Sequence, residues 1–139
     1  MTHAPQRCRW ASMKVTRLVT LFVLFFVAES LAMAAQPVDV SMIQLIATPE
    51  KYQGKRVRLL AFLRIEFEGN AVYLHKEDYE QAIFRNGLWI DLPKGIVSGN
   101  GLTNQYVLVE GVFDGTQSGH MGLWSGMITD VTRLEPWHP

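Results

Sequence analysis

The chain has 139 residues, with 13 basic and 13 acidic side chains and a formal net charge of zero. A length of this order holds one domain with one core, and the even charge balance disfavours nucleic-acid binding, which relies on a basic surplus to neutralise phosphates. The single cysteine, Cys8, excludes an internal disulfide framework and a cysteine-ligated zinc site.

Residues 1–35 read as a cleavable secretion signal. Arg7, Arg9, Lys14 and Arg17 form a basic start without acidic residues, and an unbroken apolar run follows from Leu18 to Ala28. As a helix that run is about 16 Å long, roughly half of a ~30 Å hydrocarbon core. Glu29 ends it, so no stable membrane span is expected once the signal is removed. Ala32, Ala34 and Ala35 supply the small residues of a cleavage site, and Met13 would serve as a start as well as Met1. Cys8 precedes the apolar run and so cannot carry a lipid after it. The expectation is an exported protein, periplasmic or secreted, whose working part is one domain over residues 36–139. The leader carries four of the basic residues and one of the acidic ones, which leaves a net charge of −3 on the remaining 104.

After a short linker, residues 36–39, Ser41 and Gln44 have the spacing of a capping box. Met42, Leu45 and Ile46 then share one helical face, and Pro49 ends the helix because it pushes its predecessor out of the α region. From Arg56 to Phe67 the chain alternates, with Val57, Leu59, Ala61, Leu63, Ile65 and Phe67 on one side. That predicts a long strand with one face in a core. Leu60 and Phe62 interrupt the polar side, so its middle is expected to be covered, with the short helix as the candidate cover. Glu68-Gly69-Asn70 reads as a hairpin connection, Ala71 to Lys76 as a second strand, and Glu77 to Asn86 as a helical turn or an irregular excursion. Leu88 to Leu92 is a third strand closed by Pro93. A glycine-rich loop, residues 94–104, leads to a fourth, Tyr106 to Phe113. Gly119 to Leu134 reads as a fifth strand whose glycines at 119, 122 and 126 mark bulges or bends. Five strands and one short N-terminal helix in about 100 residues favour a small closed barrel, which leaves no exposed edges.

The segment Pro49-Glu50-Lys51-Tyr52-Gln53-Gly54-Lys55-Arg56-Val57-Arg58, leading from a short helix into a long strand, resembles the opening of small exported bacterial OB-fold-like domains. With the strand spacing, the resemblance covers roughly residues 40 to 136. It implies a mostly β, five-stranded OB-like barrel and is silent on activity, because such folds host oligonucleotide, oligosaccharide and protein binders. The chain departs from the pattern in its acidic balance and in a glycine-rich loop where a helix usually joins the third and fourth strands.

Several groups stand out as candidate site residues. Tyr73, His75 and Glu77 share a face if the second strand runs through them, and His75 with Glu77 could offer a metal ligand pair or a base held by a carboxylate. His120 or Asp91 would be a third donor; simple solvation of a strand end explains the same residues. Glycines flank His120 and let a ligand approach, with Trp124 close behind. Trp89 points away from the core between apolar neighbours, as a stacking surface would, unless the 77 to 86 excursion covers it. Arg56, Arg58 and Arg64 with Lys51 and Lys55 form the one basic concentration after the leader. No catalytic signature is present: G-x-S-x-G, the P-loop, H-E-x-x-H and the Rossmann glycines are all missing. The expected protein is a non-enzymatic binding module without a cofactor, contacting a partner protein or a small polar ligand through Tyr73, His75, Trp89, His120 and Trp124. A metal site at His75, Glu77 and His120 is the alternative, and an oligonucleotide binder the second alternative.

Overall fold

The computed structural model describes residues 36–92 and 101–139. Residues 1–35, on which the expected secretion signal falls, Pro93 and most of the glycine-rich loop lie outside the described residues. Six strands are present among those described: β1 (Val38–Asp39), β2 (Arg56–Arg64), β3 (Ala71–Tyr73), β4 (Gly87–Ile90), β5 (Gln105–Asp114) and β6 (Met127–Pro136). Three short helices, α1 (Met42–Ala47), α2 (Pro49–Tyr52) and α3 (Lys76–Glu80), and two 3-10 turns, Phe84–Asn86 and His120–Gly122, join them. No helix among the described residues is long and apolar enough to cross a membrane.

Five strands close on themselves in the order β2-β3-β4-β6-β5, with β5 pairing back along β2. The β4–β6 contact is parallel and the other contacts within the ring are antiparallel. This is an OB-like barrel. Its interior is filled by alternate residues of each strand, as the period-2 pattern requires. Val57, Leu59, Ala61 and Leu63 of β2 meet Val107, Val109 and Phe113 of β5, with Val72, Leu88, Ile90 and Ile128 completing the core. Each fully buried aliphatic side chain of this kind contributes about 1.5–3 kcal/mol.

The capping box forms as the spacing predicts: Gln44 N–H donates to Ser41 Oγ at 3.2 Å and Ser41 N–H to Gln44 Oε1 at 3.0 Å. Met42 and Leu45 are buried and Ile46 packs beside them. Pro49 does end α1, and it also opens α2 as the first residue of that helix, where its missing N–H costs nothing.

Four boundaries differ from expectation, each for a local reason. Residues 38 and 39 are not linker but pair parallel with Val57 and Arg58. β2 stops at Arg64 rather than Phe67, because the Ile65 N–H is taken by Thr103 Oγ1 (3.0 Å) and that of Glu66 by Asn70 Oδ1 (3.1 Å). Phe67 is therefore not in the core and stands 98% exposed on the turn. β3 ends at Tyr73, since Leu74 N–H donates to the Asn86 carbonyl (3.0 Å) and His75 N–H to the Asp78 carboxylate (2.9 Å). The last strand starts at Met127, not Gly119, because Gly119, Met121 and Gly122 all have positive φ (63°, 55° and 70°) and turn the backbone out of the extended region.

The outer face of β2, β5 and β6 carries a lattice of charges. Glu110 accepts from Arg58 Nε at 2.7 Å and from Arg133 Nη1 at 3.2 Å, while Arg58 also reaches Asp39 at 3.3 Å and Arg133 pairs with Glu135. The hydrogen bond from Arg58, with that from Arg133 behind it, holds the Glu110 carboxyl below its usual range. A carboxyl whose folded value is depressed adds stability above its unfolded value, and that stability drains away as the pH falls through the folded one. Acidification from about pH 5 to about pH 3 is thus expected to lower the urea midpoint of the native chain more than that of Glu110→Gln. Equal slopes for the two proteins would refute the coupling.

Candidate functional site

The outward residues of β3 and β4 are Ala71, Tyr73 and Trp89, since Val72, Leu88 and Ile90 point into the barrel core. A sheet face facing water would carry polar residues here, so an aromatic face must be covered. Two segments do this. From one side come Tyr79 of α3 and Phe84 of the following 3-10 turn, and from the other comes Trp124 of the loop between β5 and β6. The result is a second apolar cluster on the outside of the barrel, with Ala71, Tyr73 and Trp124 buried and Tyr79, Phe84 and Trp89 partly exposed around them.

Ring geometry ties the cluster together. Trp124 lies edge-on to Trp89 with centroids 4.9 Å apart, and its centroid is 5.5 Å from that of Phe84. Its indole N–H donates to the Tyr73 hydroxyl at 3.3 Å, which meets the need of a buried Trp and Tyr for polar partners. Burial pushes the Tyr73 phenol above its usual value, and the Trp124 hydrogen bond works against that. Tyr79 continues the row, 5.7 Å from Tyr73, with the Arg64 guanidinium over its ring at 4.7 Å. Its hydroxyl donates to Glu66 Oε1 at 2.7 Å. That bond first, and Arg64 second, hold the Glu66 carboxyl below its ordinary value.

Gly119 allows the loop to lie on Trp89. A Cβ there would stand 2.7 Å from the Trp89 Cβ and 2.8 Å from its ring, and the residue's φ of +63° is one that glycine alone adopts without strain. The glycine beside His120 is thus explained by close packing against the chain's own tryptophan.

Of the five residues singled out from the sequence, the fold brings Tyr73, Trp89 and Trp124 together and leaves His75 and His120 exposed on separate segments. His75 stands at the entrance of α3 and His120 in the 3-10 turn of the β5–β6 loop. Among the described residues no three His, Cys, Asp or Glu side chains are placed to hold a metal, so His75, Glu77 and His120 do not form a coordination set. The arginines of the basic concentration are also engaged. Arg56 donates to the Asp130 carbonyl and Thr132, Arg58 to Glu110 and Asp39, and Arg64 to Glu66 and Asn104. A phosphate would have to displace these partners.

Sequence reasoning missed Asp78, which sits in what reads as a solvated charge run yet is buried. It accepts from His75 N–H at 2.9 Å and from Asn86 Nδ2 at 2.7 Å, and so fixes the excursion that carries Tyr79 and Phe84. The signal was its place three residues after the helix entry, where a side chain reaches back to the N-cap amide. No protein-family model, no curated protein and no solved structure matches the chain.

Proposed function

We propose that this protein is a non-enzymatic binding module, exported from the cell that makes it, whose aromatic face over β3 and β4 docks a partner protein. The observation that carries this reading is the set of partly exposed rings, Trp89, Tyr79 and Phe84, packed on the buried Tyr73–Trp124 pair. OB folds present ligands to this face and its adjoining loops. The surroundings favour a protein over a small polar ligand. Met121 is 80% exposed, Ile83 and Leu123 are exposed as well, and Arg85, also exposed, donates to the Trp124 carbonyl. Aromatic residues, Met and Arg are the types enriched where proteins meet. Export is supported by the basic start and apolar run of residues 1–35.

Immobilised protein is the test, with Met121→Glu as the disabling variant and Glu50→Lys, an exposed position on α2, as the control. A partner retained by the native chain and the control, and lost at least tenfold with Met121→Glu, is the expected result. Equal retention by all three would remove the face from consideration. A thermal shift with soluble sugars or nucleotides, and no protein retained, would replace the partner protein with a small ligand.

A further inference from the structure

A second candidate lies along the edge of β2 that faces away from β5, lined by residues other than those of the aromatic cluster. β2 pairs with β5 along its length, but on its other side the ladder is broken: β1 accompanies Val57 and Arg58, β3 accompanies Phe62 to Arg64, and Leu60 stands between them. The Arg58 carbonyl accepts from Val40 N–H at 3.0 Å on the open side, whereas the Leu63 carbonyl accepts from Asn104 on the β5 side. Strand alternation therefore turns the N–H and C=O of Leu60 into the gap. Among the described residues neither has a backbone partner. Four residue steps separate Arg58 from Phe62, about 13 Å at ~3.3 Å per residue, which leaves room for roughly three extended residues.

The gap opens into a groove of about 420 Å³, inside the ~300–1,000 Å³ range of ligand sites. Val40 and Met42 form one wall and Leu74 the other, with Leu60 (42% exposed) and its cross-strand neighbour Leu108 between them. At the β1 end stands the Asp39 carboxylate, its side chain 76% exposed. Its partner Arg58 has a shorter bond to Glu110, 2.7 Å against 3.3 Å, so Asp39 is free to exchange that contact for another cation.

We propose that this groove binds a short extended peptide segment in which an apolar residue is flanked by a basic one. The apolar residue exchanges both main-chain hydrogen bonds with Leu60 and seats its side chain against Leu74 and Leu108, while the basic residue meets Asp39. A peptide fits where a purely apolar molecule does not, because one adjacent donor and acceptor are what a single strand residue offers.

The probe is the blocked tripeptide acetyl-Lys-Leu-Ala-amide, followed by amide resonances of the protein. In the free protein the Leu60 amide should exchange fast with solvent while its neighbour Leu59, bonded to β5, is protected. Peptide at roughly millimolar concentration, the affinity a ligand of this size reaches, should slow Leu60 exchange and shift Val40, Leu74 and Leu108. The N-methyl-leucine analogue, which lacks the pairing N–H, should bind at least tenfold more weakly. Leu108→Arg should abolish the shifts and leave Trp89 and Trp124 resonances in place. A Leu60 amide as protected as Leu59 in the free protein, equal binding of the two peptides, or shifts confined to the aromatic face would each overturn the proposal.

Discussion

Adding one methyl group at Gly111 is expected to lower the stability of the barrel by about 3 kcal/mol, the upper end of what overpacking a core costs. The reason lies in the register of β5 against β6. Glu110 pairs with Arg133, but Val112 pairs with Thr129, so residues 130–132 of β6 stand opposite Gly111 alone. The extra residues bulge, with Asp130 at a φ of 44°, and Arg56 braces them through the Asp130 carbonyl (3.2 Å) and Thr132 Oγ1 (3.0 Å). The bulge folds directly onto Gly111. A Cβ at that position would lie 2.5 Å from Ile128 Cγ2 and 2.7 Å from the Thr129 carbonyl oxygen. A flexible side chain could move aside, but a carbonyl held in a closed barrel cannot without shifting the strand. In urea, Gly111→Ala should therefore show a lower midpoint with an unchanged slope. A midpoint within error of the native value would mean that β6 is free to slide, and that the bulge does not set the curvature.

This bulge also marks the limit of what the sequence displays. Bends were expected at the glycines of residues 119–126, because glycine in an apolar strand is the common local sign of one. Gly119 and Gly122 do turn the chain, but ahead of the strand; the bulge inside β6 falls at Asp130 to Thr132, opposite a glycine on the neighbouring strand, Gly111. Nothing local to either strand encodes that. Features whose cause is local were legible: the Ser41–Gln44 box, the turn into the first long strand, and the alternation from Val57 to Leu63. The OB-like barrel follows from these and from the spacing of the apolar runs. Alternation failed at Phe67 because its inward parity continues past the point where Thr103 and Asn70 side chains take over the ladder's N–H groups. Asp78 was hidden for the complementary reason. A carboxylate in a run of charges looks solvated until the chain folds Asn86 onto it.

The candidate site shows the same division. Period-2 parity correctly turned Trp89 away from the core, and Tyr73 and Trp124 do join it on one face. What parity cannot report is what covers that face, and here the chain covers it with its own excursion and loop. Tyr73 and Trp124 are consequently support and Trp89 is surface, a distinction with a measurable consequence. Trp124→Ala is expected to cost about 3–5 kcal/mol, the range for emptying a buried aromatic site, because it also leaves the buried Tyr73 hydroxyl without its donor. For a domain of about 100 residues that lowers the melting temperature by more than about 12 °C. Trp89→Ala removes a ring that is still partly in water, and should cost less than half as much while abolishing retention of the partner. Equal losses of stability would make the whole cluster an ordinary second core and leave the exposed rim of Met121, Ile83 and Leu123 without a platform. A small loss at Trp124 would be more informative still. It would mean that the loop over Trp89 is held by something other than the ring it covers, and Gly119 would then be the residue to question.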